Sequence, residues 1–392
     1  MKRIFAFAVT LAALTASGCG SSSHTTSSTA KSASTRCTTS IAIEAPLTGP
    51  VAQVGLEQLH FAQLAVATDN AANKTNVTLD QDDTQLTRSI AVTKASAIIA
   101  SPAVAVVGPA GSQEVEAVGP LFDKAGIAFV SGSATLPALA TDGKNPTFFR
   151  VVSDDDLQGP QDANYIVHHL KPKAVLIIDD DEAYSQGLVK VMTPILLKAG
   201  IKVNHRTLDG SDTGATLANA ITSLVTSQLT PAETVTVLPW QAATNAQTFG
   251  LDAMQQHKTT TLFGTDGTNS PSQFHVAGSY VSAFGPDISD STATLDKSIV
   301  TGVAKYGPYG SFGLPVYEAT DVVMKAIASV CQAGQTPSRP NVLAAIKKTD
   351  IPAADNPMGV VIAFEPGGDL AGSPGYLFKI GSNGTYAAIP TK

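Results

Sequence analysis

Short apolar runs recur along the chain, each followed by a small or polar turn and then by a longer stretch whose apolar positions fall on one helical face. The series opens with a strand at Ile41 to Ala45, the turn Pro46-Leu47-Thr48-Gly49-Pro50, and a helix from about Glu57 to Asn70. It continues as strand Val77 to Asp80, helix Thr87 to Ala100, strand Ala103 to Val107, helix Glu114 to Ala125 and strand Ile127 to Val130. Such an alternation predicts a parallel sheet with helices on both faces.

After Phe148 to Val152 the acidic, polar stretch Ser153 to Gln158 breaks the rhythm, which we read as a crossing between lobes. The alternation restarts with helix Pro160 to Leu170, strand Ala174 to Ile178, helix Gln186 to Ala199 and strand Lys202 to Leu208. Helix Ala215 to Ser227, strand Thr234 to Leu238, helix Ala243 to His257 and strand Thr261 to Phe263 complete it. A loop rich in Gly, Pro, Ser and Asp precedes helices Pro315 to Gln332 and Arg339 to Lys348, which return to the first lobe. Val360 to Phe364 and Gly375 to Ile380 are expected to close the chain as a hairpin-like ending on the second. The expected fold class is therefore α/β, with two lobes that each hold a mainly parallel sheet flanked by helices, joined by a multi-strand hinge. Residues 38–152 plus 285–355 make lobe 1, and residues 153–284 plus 356–392 make lobe 2.

The ends change this picture. Met1, Lys2 and Arg3 precede an apolar run, Ile4 to Ala16, too short to span a bilayer, so residues 1–18 read as a secretory signal peptide. Ala16-Ser17-Gly18-Cys19 is similar to a bacterial lipobox, which implies lipid attachment at Cys19; plain signal cleavage with Cys19 as a free thiol is the alternative. From Gly20 to Arg36, 11 of 17 residues are Ser or Thr, so the segment cannot bury enough surface to offset its ordering entropy. Residues 19–37 thus read as a lipidated flexible tether. Cys37 and Cys331 are an even pair in an oxidising compartment, and could form a disulfide or remain separate buried thiols.

Composition excludes more than it selects. Charged residues make up 15% of the chain, the net charge is −7 and no basic run occurs, so the footprint of nucleic-acid binding is missing. The clusters Asp154-Asp155-Asp156 and Asp179-Asp180-Asp181-Glu182 are expected to be solvated, and His168-His169 lacks zinc-ligand spacing. With no G-x-S-x-G and no P-loop, no catalytic residue, metal or cofactor is expected, and the chain is not read as an enzyme.

Binding chemistry is expected beyond the carboxyl ends of the strands. In the first lobe these positions hold Gly108-Pro109-Ala110-Gly111-Ser112-Gln113-Glu114 and Ser131-Gly132-Ser133-Ala134-Thr135-Leu136-Pro137. Together they offer backbone N–H groups, hydroxyls and a helix-dipole end suited to a carboxylate, with Ser112 an N-cap candidate. The bland alternative is that Ser112, Ser133 and Thr135 only cap helices. In the second lobe Gly264-Thr265-Asp266-Gly267 can project an acid toward an ammonium group, or form an ordinary Asp-Gly turn. Tyr184 and Trp240 also follow strands and could form an apolar wall.

At these residues the chain resembles the type I periplasmic binding proteins, in particular the leucine/isoleucine/valine-binding branch. The likeness runs from Ile41 to the end and rests on Pro46 to Gly55, Asp82-Asp83-Thr84, Ser153 to Pro160, Ala183 to Gly187, Met358-Gly359 and Gly368-Asp369-Leu370. The resemblance implies that Ser112, Ser133 and Thr135 hold a ligand carboxylate, that Asp266 holds an ammonium, and that Tyr184, Trp240 and Phe312 supply aromatic walls. Asp266 stands where the branched-chain binders use glutamate, and Val54 where an aromatic is common. The implied function is that of a lipid-anchored, monomeric substrate-binding protein that closes its lobes on an amino-acid-like ligand and delivers it to an ABC permease. The rivals are a ligand-sensing ectodomain serving a membrane receptor, and a binder of a small amide or carboxylic acid.

Overall fold

The computed structural model describes residues 37–210, 212–229, 234–372 and 374–390. The expected signal peptide, Cys19 and the tether as far as residue 36 lie outside the described residues.

The first half of the chain runs β1 (Thr38–Ala45), α1 (Ala52–Asn73), β2 (Asn76–Asp83), α2 (Arg88–Ala100), β3 (Ala103–Val107), α3 (Ser112–Ala125), β4 (Ala128–Ser131) and β5 (Phe148–Arg150). Its five strands form one parallel sheet in the order β2-β1-β3-β4-β5. Successive side chains point to opposite faces, so Ile41 and Ile43 enter one core while Ala42 enters the other. Every residue of β3 is buried, as expected of a central strand covered on both sides.

The second half runs α4 (Asp155–Tyr165), which widens into π-helical turns over Ile166–Leu170, then β6 (Ala174–Asp179), α5 (Ala183–Lys198), β7 (Lys202–Thr207) and α6 (Gly214–Gln228). It continues through β8 (Thr234–Leu238), α7 (Ala243–Gln255), β9 (Thr261–Gly264) and β10 (Tyr280–Ala283). The chain then forms α8 (Thr294–Val303), α9 (Gly313–Gln332), α10 (Arg339–Ile346), β11 (Asp350–Ile351), β12 (Ile362–Ala363), β13 (Tyr376–Ile380) and β14 (Tyr386–Ile389). The second sheet has the order β14-β13-β10-β9-β8-β6-β7, parallel from β10 to β7 and antiparallel at the β13 and β14 edge. Its two faces again take alternate residues, Leu176 and Ile178 on one side, Val175 and Ile177 on the other.

Three features depart from the sequence expectation. β10 and α8 arise inside the Gly-, Pro- and Ser-rich stretch that was read as a loop, because sheet pairing beside β9 outweighs weak local propensity. The expected closing hairpin uses other partners: Ile362–Ala363 pairs with Asp350–Ile351, and Tyr376–Ile380 pairs with Tyr386–Ile389. Met358, Ile362 and Leu370 accordingly pack into the first sheet's core, beyond residue 355 where the sequence reading placed the end of that lobe.

The chain passes between the sheets after β5, after β10 and again before β13. Arg150, fully buried at the end of β5, ties two of these crossings together. Its Nε donates to Asp369 at 2.6 Å, a terminal nitrogen lies 3.4 Å from Asp154, and the other donates to the Ala134 and Leu136 carbonyls. A buried guanidinium needs its donors matched, and these partners engage four of its five N–H groups at the hinge. A disulfide joins Cys37, just before β1, to Cys331 near the end of α9, with Cα atoms 6.1 Å apart.

Candidate ligand-binding cleft

The two sheets present their carboxyl-terminal loops to one small cavity of about 30 Å³, lined by Val54, Leu86, Ala110, Ser112 and Ser133 with Phe312 from the first-lobe side and Tyr184, Gln241, Asp266 and Gly267 from the second.

The first wall is built around α3. Gly108 adopts φ +99°, and a Cβ there would stand 2.3 Å from the Glu44 carbonyl oxygen, so the loop after β3 can approach β1 only with glycine. Gly111, not Ser112, is the N-cap, and Glu114 reaches back to accept from the Gly111 N–H at 2.9 Å. Ser112 is therefore the first helical residue, and the N–H groups of such positions have no intrahelical acceptor. Its hydroxyl accepts from the Leu136 N–H at 3.2 Å and keeps its own proton to donate. Ser133 differs: its hydroxyl donates to the Ala110 carbonyl at 2.8 Å and accepts from Gln58 at 2.9 Å. The Ser133 and Ala134 N–H groups, expected to face a carboxylate, are bonded to the Ser131 hydroxyl instead.

The apolar floor depends on a clamp at the end of β2. Asp83 accepts from the Leu47, Thr48 and Gln85 N–H groups, which fastens the turn before α1 to the strand. Burial works to raise its carboxyl pKa, but these bonds and the Thr48 hydroxyl outweigh it and hold the group below the usual range. Gln85 and Leu86 follow with φ of 53° and 57°, a left-handed pair of ordinary residues whose strain is repaid by placing Leu86 against Gly111 and in the cavity. Phe312 is fixed through its N–H, which donates to Glu57 on α1 at 3.2 Å.

The second wall centres on Asp266. Tyr184 at the start of α5 donates to Asp266 Oδ1 at 2.7 Å, accepts from the Gly267 N–H at 3.0 Å, and lies 2.6 Å from the Thr265 hydroxyl. Only glycine fits at 267, since a Cβ would meet the Trp240 carbonyl oxygen at 2.4 Å. Burial pushes the Asp266 carboxyl up to about 6, the Tyr184 hydroxyl acting in the opposite direction. Burial and the neighbouring Asp266 push the Tyr184 phenol well above its ordinary value, which keeps it a donor.

Of the sequence-predicted residues, Ser112, Ser133, Tyr184, Asp266 and Phe312 converge on the cavity. Thr135 is fully buried and faces Asp155 at the start of α4. Trp240 turns into the core below the second sheet, edge-on to Phe249 at 6.0 Å, because its bulk is better buried there than in a cleft. Its neighbour Gln241 lines the cavity instead, and exchanges two amide hydrogen bonds with Gln113 of the opposite lobe at 3.0 and 3.2 Å. Leu86 and Gln241 carried no motif of their own; the signal was their place in loops, three residues past the ends of β2 and β8.

Comparisons with known proteins follow the same outline. The profile of the periplasmic binding protein family matches residues 38–385. A Leu/Ile/Val-binding protein of Citrobacter freundii is 30% identical over 42% of this chain and 45% of its own length, so the match spans a little under half of that relative. The Leu/Ile/Val-binding protein BraC3 of Rhizobium johnstonii is 29% identical over 86% of this chain and 90% of its own. Among solved structures, the branched-chain amino acid transporter substrate-binding protein LivJ of Streptococcus pneumoniae, in complex with isoleucine, superposes with a TM-score of 0.75. That pair is 21% identical and covers 90% of this chain and 98% of the other, which establishes the shared two-lobed fold.

Proposed function

This chain belongs to the periplasmic binding protein family, and from that premise we propose that it is the extracytoplasmic substrate-binding component of an ABC importer for a small amino acid. The observation that carries the reading is the cavity's two unlike walls: a free serine hydroxyl at the start of α3 on one, and the Asp266 carboxylate on the other. A zwitterion bridges such walls. Ser112 and the first N–H groups of α3 take its carboxylate, Asp266 takes its ammonium, and Val54, Leu86 and Phe312 meet its side chain. Ser133 holds the Ala110 loop in place, Thr135 supports the site from behind, and Trp240 braces the Gly267 turn from the core.

The ligand binds best when both walls touch it, so its differential affinity drives lobe closure about the crossings tied by Arg150. Named relatives bind branched-chain amino acids, but Asp266 is a methylene shorter than the glutamate of that branch and Val54 is smaller than an aromatic. The ligand class, rather than leucine itself, is the proposal. A lipid on Cys19 and the tether after it would hold the monomeric body near its permease.

A thermal-shift screen of amino acids and simple carboxylates tests it, because a ligand that binds only the folded state raises the melting temperature. Hits should be confined to α-amino acids. Asp266→Ala should cost roughly 30-fold or more in affinity by calorimetry, the loss of a buried charge partner, with no fall in melting temperature. Unchanged affinity would remove Asp266 from the site.

A further inference from the structure

Two acids stand behind the amine-facing wall without lining it. Asp155 begins α4, Asp162 lies two turns further along the same helix, and both are fully buried. Five buried polar atoms around them have no hydrogen-bond partner: both carboxylate oxygens of Asp155, Oδ1 of Asp162, Thr135 Oγ1 and Gln158 Oε1. Thr135 stands beside Asp155 and Gln158 beside Asp162.

A chain of side-chain hydrogen bonds reaches Asp162. Gln158 Nε2 donates to the Ser282 hydroxyl at 2.9 Å, which donates in turn to Asp162 Oδ2 at 2.7 Å. This chain occupies Asp162 Oδ2 and leaves its Oδ1 buried without a donor, as are both oxygens of Asp155. Among the described residues no salt bridge reaches either acid. A carboxyl buried with neither donor nor cation is held more cheaply as the neutral acid. The charged groups around the pair are Asp266 on the second wall and, beyond Thr135, Arg150 with Asp154; the neutral phenol of Tyr184 also faces Asp155. Arg150 is already bonded to Asp154, Asp369 and two carbonyls.

We propose that Asp155 and Asp162 each keep a proton in the folded protein at neutral pH, so that this wall presents a single negative charge, on Asp266, and admits a ligand group with a single positive charge. Burial and the neighbouring carboxylates push both carboxyls well above their ordinary range, in the same direction. The specificity step rests on the amino-acid reading above; the stored protons do not. A second cation, as in a diamine, would find protonated acids where it needs carboxylates.

The test begins without ligand. Asp155→Asn and Asp162→Asn, made singly, copy the protonated form in shape and charge. The wild-type fold should be most stable in acid and lose stability as pH rises past about 4, where the unfolded chain releases protons that the native form retains. Each asparagine variant should remove one proton's share of that slope between pH 5 and 8 and melt no lower than wild type at pH 7. An unchanged slope with a lowered melting temperature in both variants would mean ionised acids and overturn the proposal. Calorimetry with L-leucine and 1,4-diaminobutane as probes completes it. Leucine affinity should stay within about twofold in both variants, with the diamine at least tenfold weaker in wild type. A diamine that binds wild type more tightly than leucine overturns the single-charge wall. Failure of leucine to bind at all, with the slope as expected, counts against the ligand reading and upholds the stored protons.

Discussion

In the proposed binding scheme the two walls of the cleft recognise opposite charges by opposite means. The first lines the cavity with no ionic side chain: hydroxyls and the start of α3 face inward, while Glu44 and Glu114 sit buried beneath the loop. The second exposes a carboxylate to the cavity and fixes it with a phenol. Neutral donors aimed by backbone geometry need no counter-ion while the cleft is empty, whereas a buried acid must choose a protonation state before a ligand arrives. The first wall should thus be sensitive to which proton points where, and the second to pH.

The largest effect expected inside this comparison separates the two serines. Ser112→Ala removes a donor to a charged group, worth about 1.5 to 3 kcal/mol, so amino-acid affinity should fall roughly 10- to 100-fold by calorimetry. Ser133→Ala should cost less than about fivefold, because the Ser133 proton is already given to Ala110. Equal losses at both positions would mean that the hydroxyl assignment on this wall is wrong.

A tenfold effect is expected from pH. Asp266 must be ionised to hold an ammonium, and its carboxyl titrates at about 6, so affinity should drop about tenfold between pH 7 and pH 5. On the first wall burial raises Glu114 to about 7. Ionising it places a negative charge beside the end of α3 that receives the ligand carboxylate, so affinity should also decline gently above pH 7. Titration calorimetry across pH 5 to 8 should therefore show a maximum near 6.5, and Glu114→Gln should flatten only the alkaline side. A profile without an acid limb would break the contrast between the walls.

How much of this was legible beforehand follows the same division. The βα rhythm from Ile41 to Phe263 could be read because its central strands, β3 and β8 among them, are covered on both faces and so carry continuous apolar runs. β10 could not: Tyr280–Ala283 is short, lies among glycines and prolines, and becomes a strand only by pairing with β9 and β13. Asp266 and Ser112 were legible as loop residues past strand ends. Trp240 was not placed correctly, since strand phase beyond Leu238 decides whether a residue faces the cleft or the core, and Pro239 resets that phase. The stored protons were invisible, because Asp155 read as a member of a solvated acidic cluster and Asp162 carried no signal of its own until α4 turned both inward.

The smallest effect tests how the walls are held together rather than what each recognises. Gln113 and Gln241 exchange a reciprocal pair of amide hydrogen bonds across the cleft, and Gln241 is also anchored through its N–H to Asp180 at 3.1 Å. These bonds exist only when the lobes approach, so they add to the closed state and to nothing else. Partly solvated neutral bonds contribute about 0.5 to 1 kcal/mol net. Gln113→Ala should then speed ligand dissociation about threefold in stopped-flow measurements, with little change in association, since encounter occurs with the cleft open. It should not alter the pH profile, because Gln113 touches neither Asp266 nor Glu114 by hydrogen bond. A shift of the acid limb in this variant would instead show that closure and the ionisation of Asp266 are coupled, and that the two walls do not act independently.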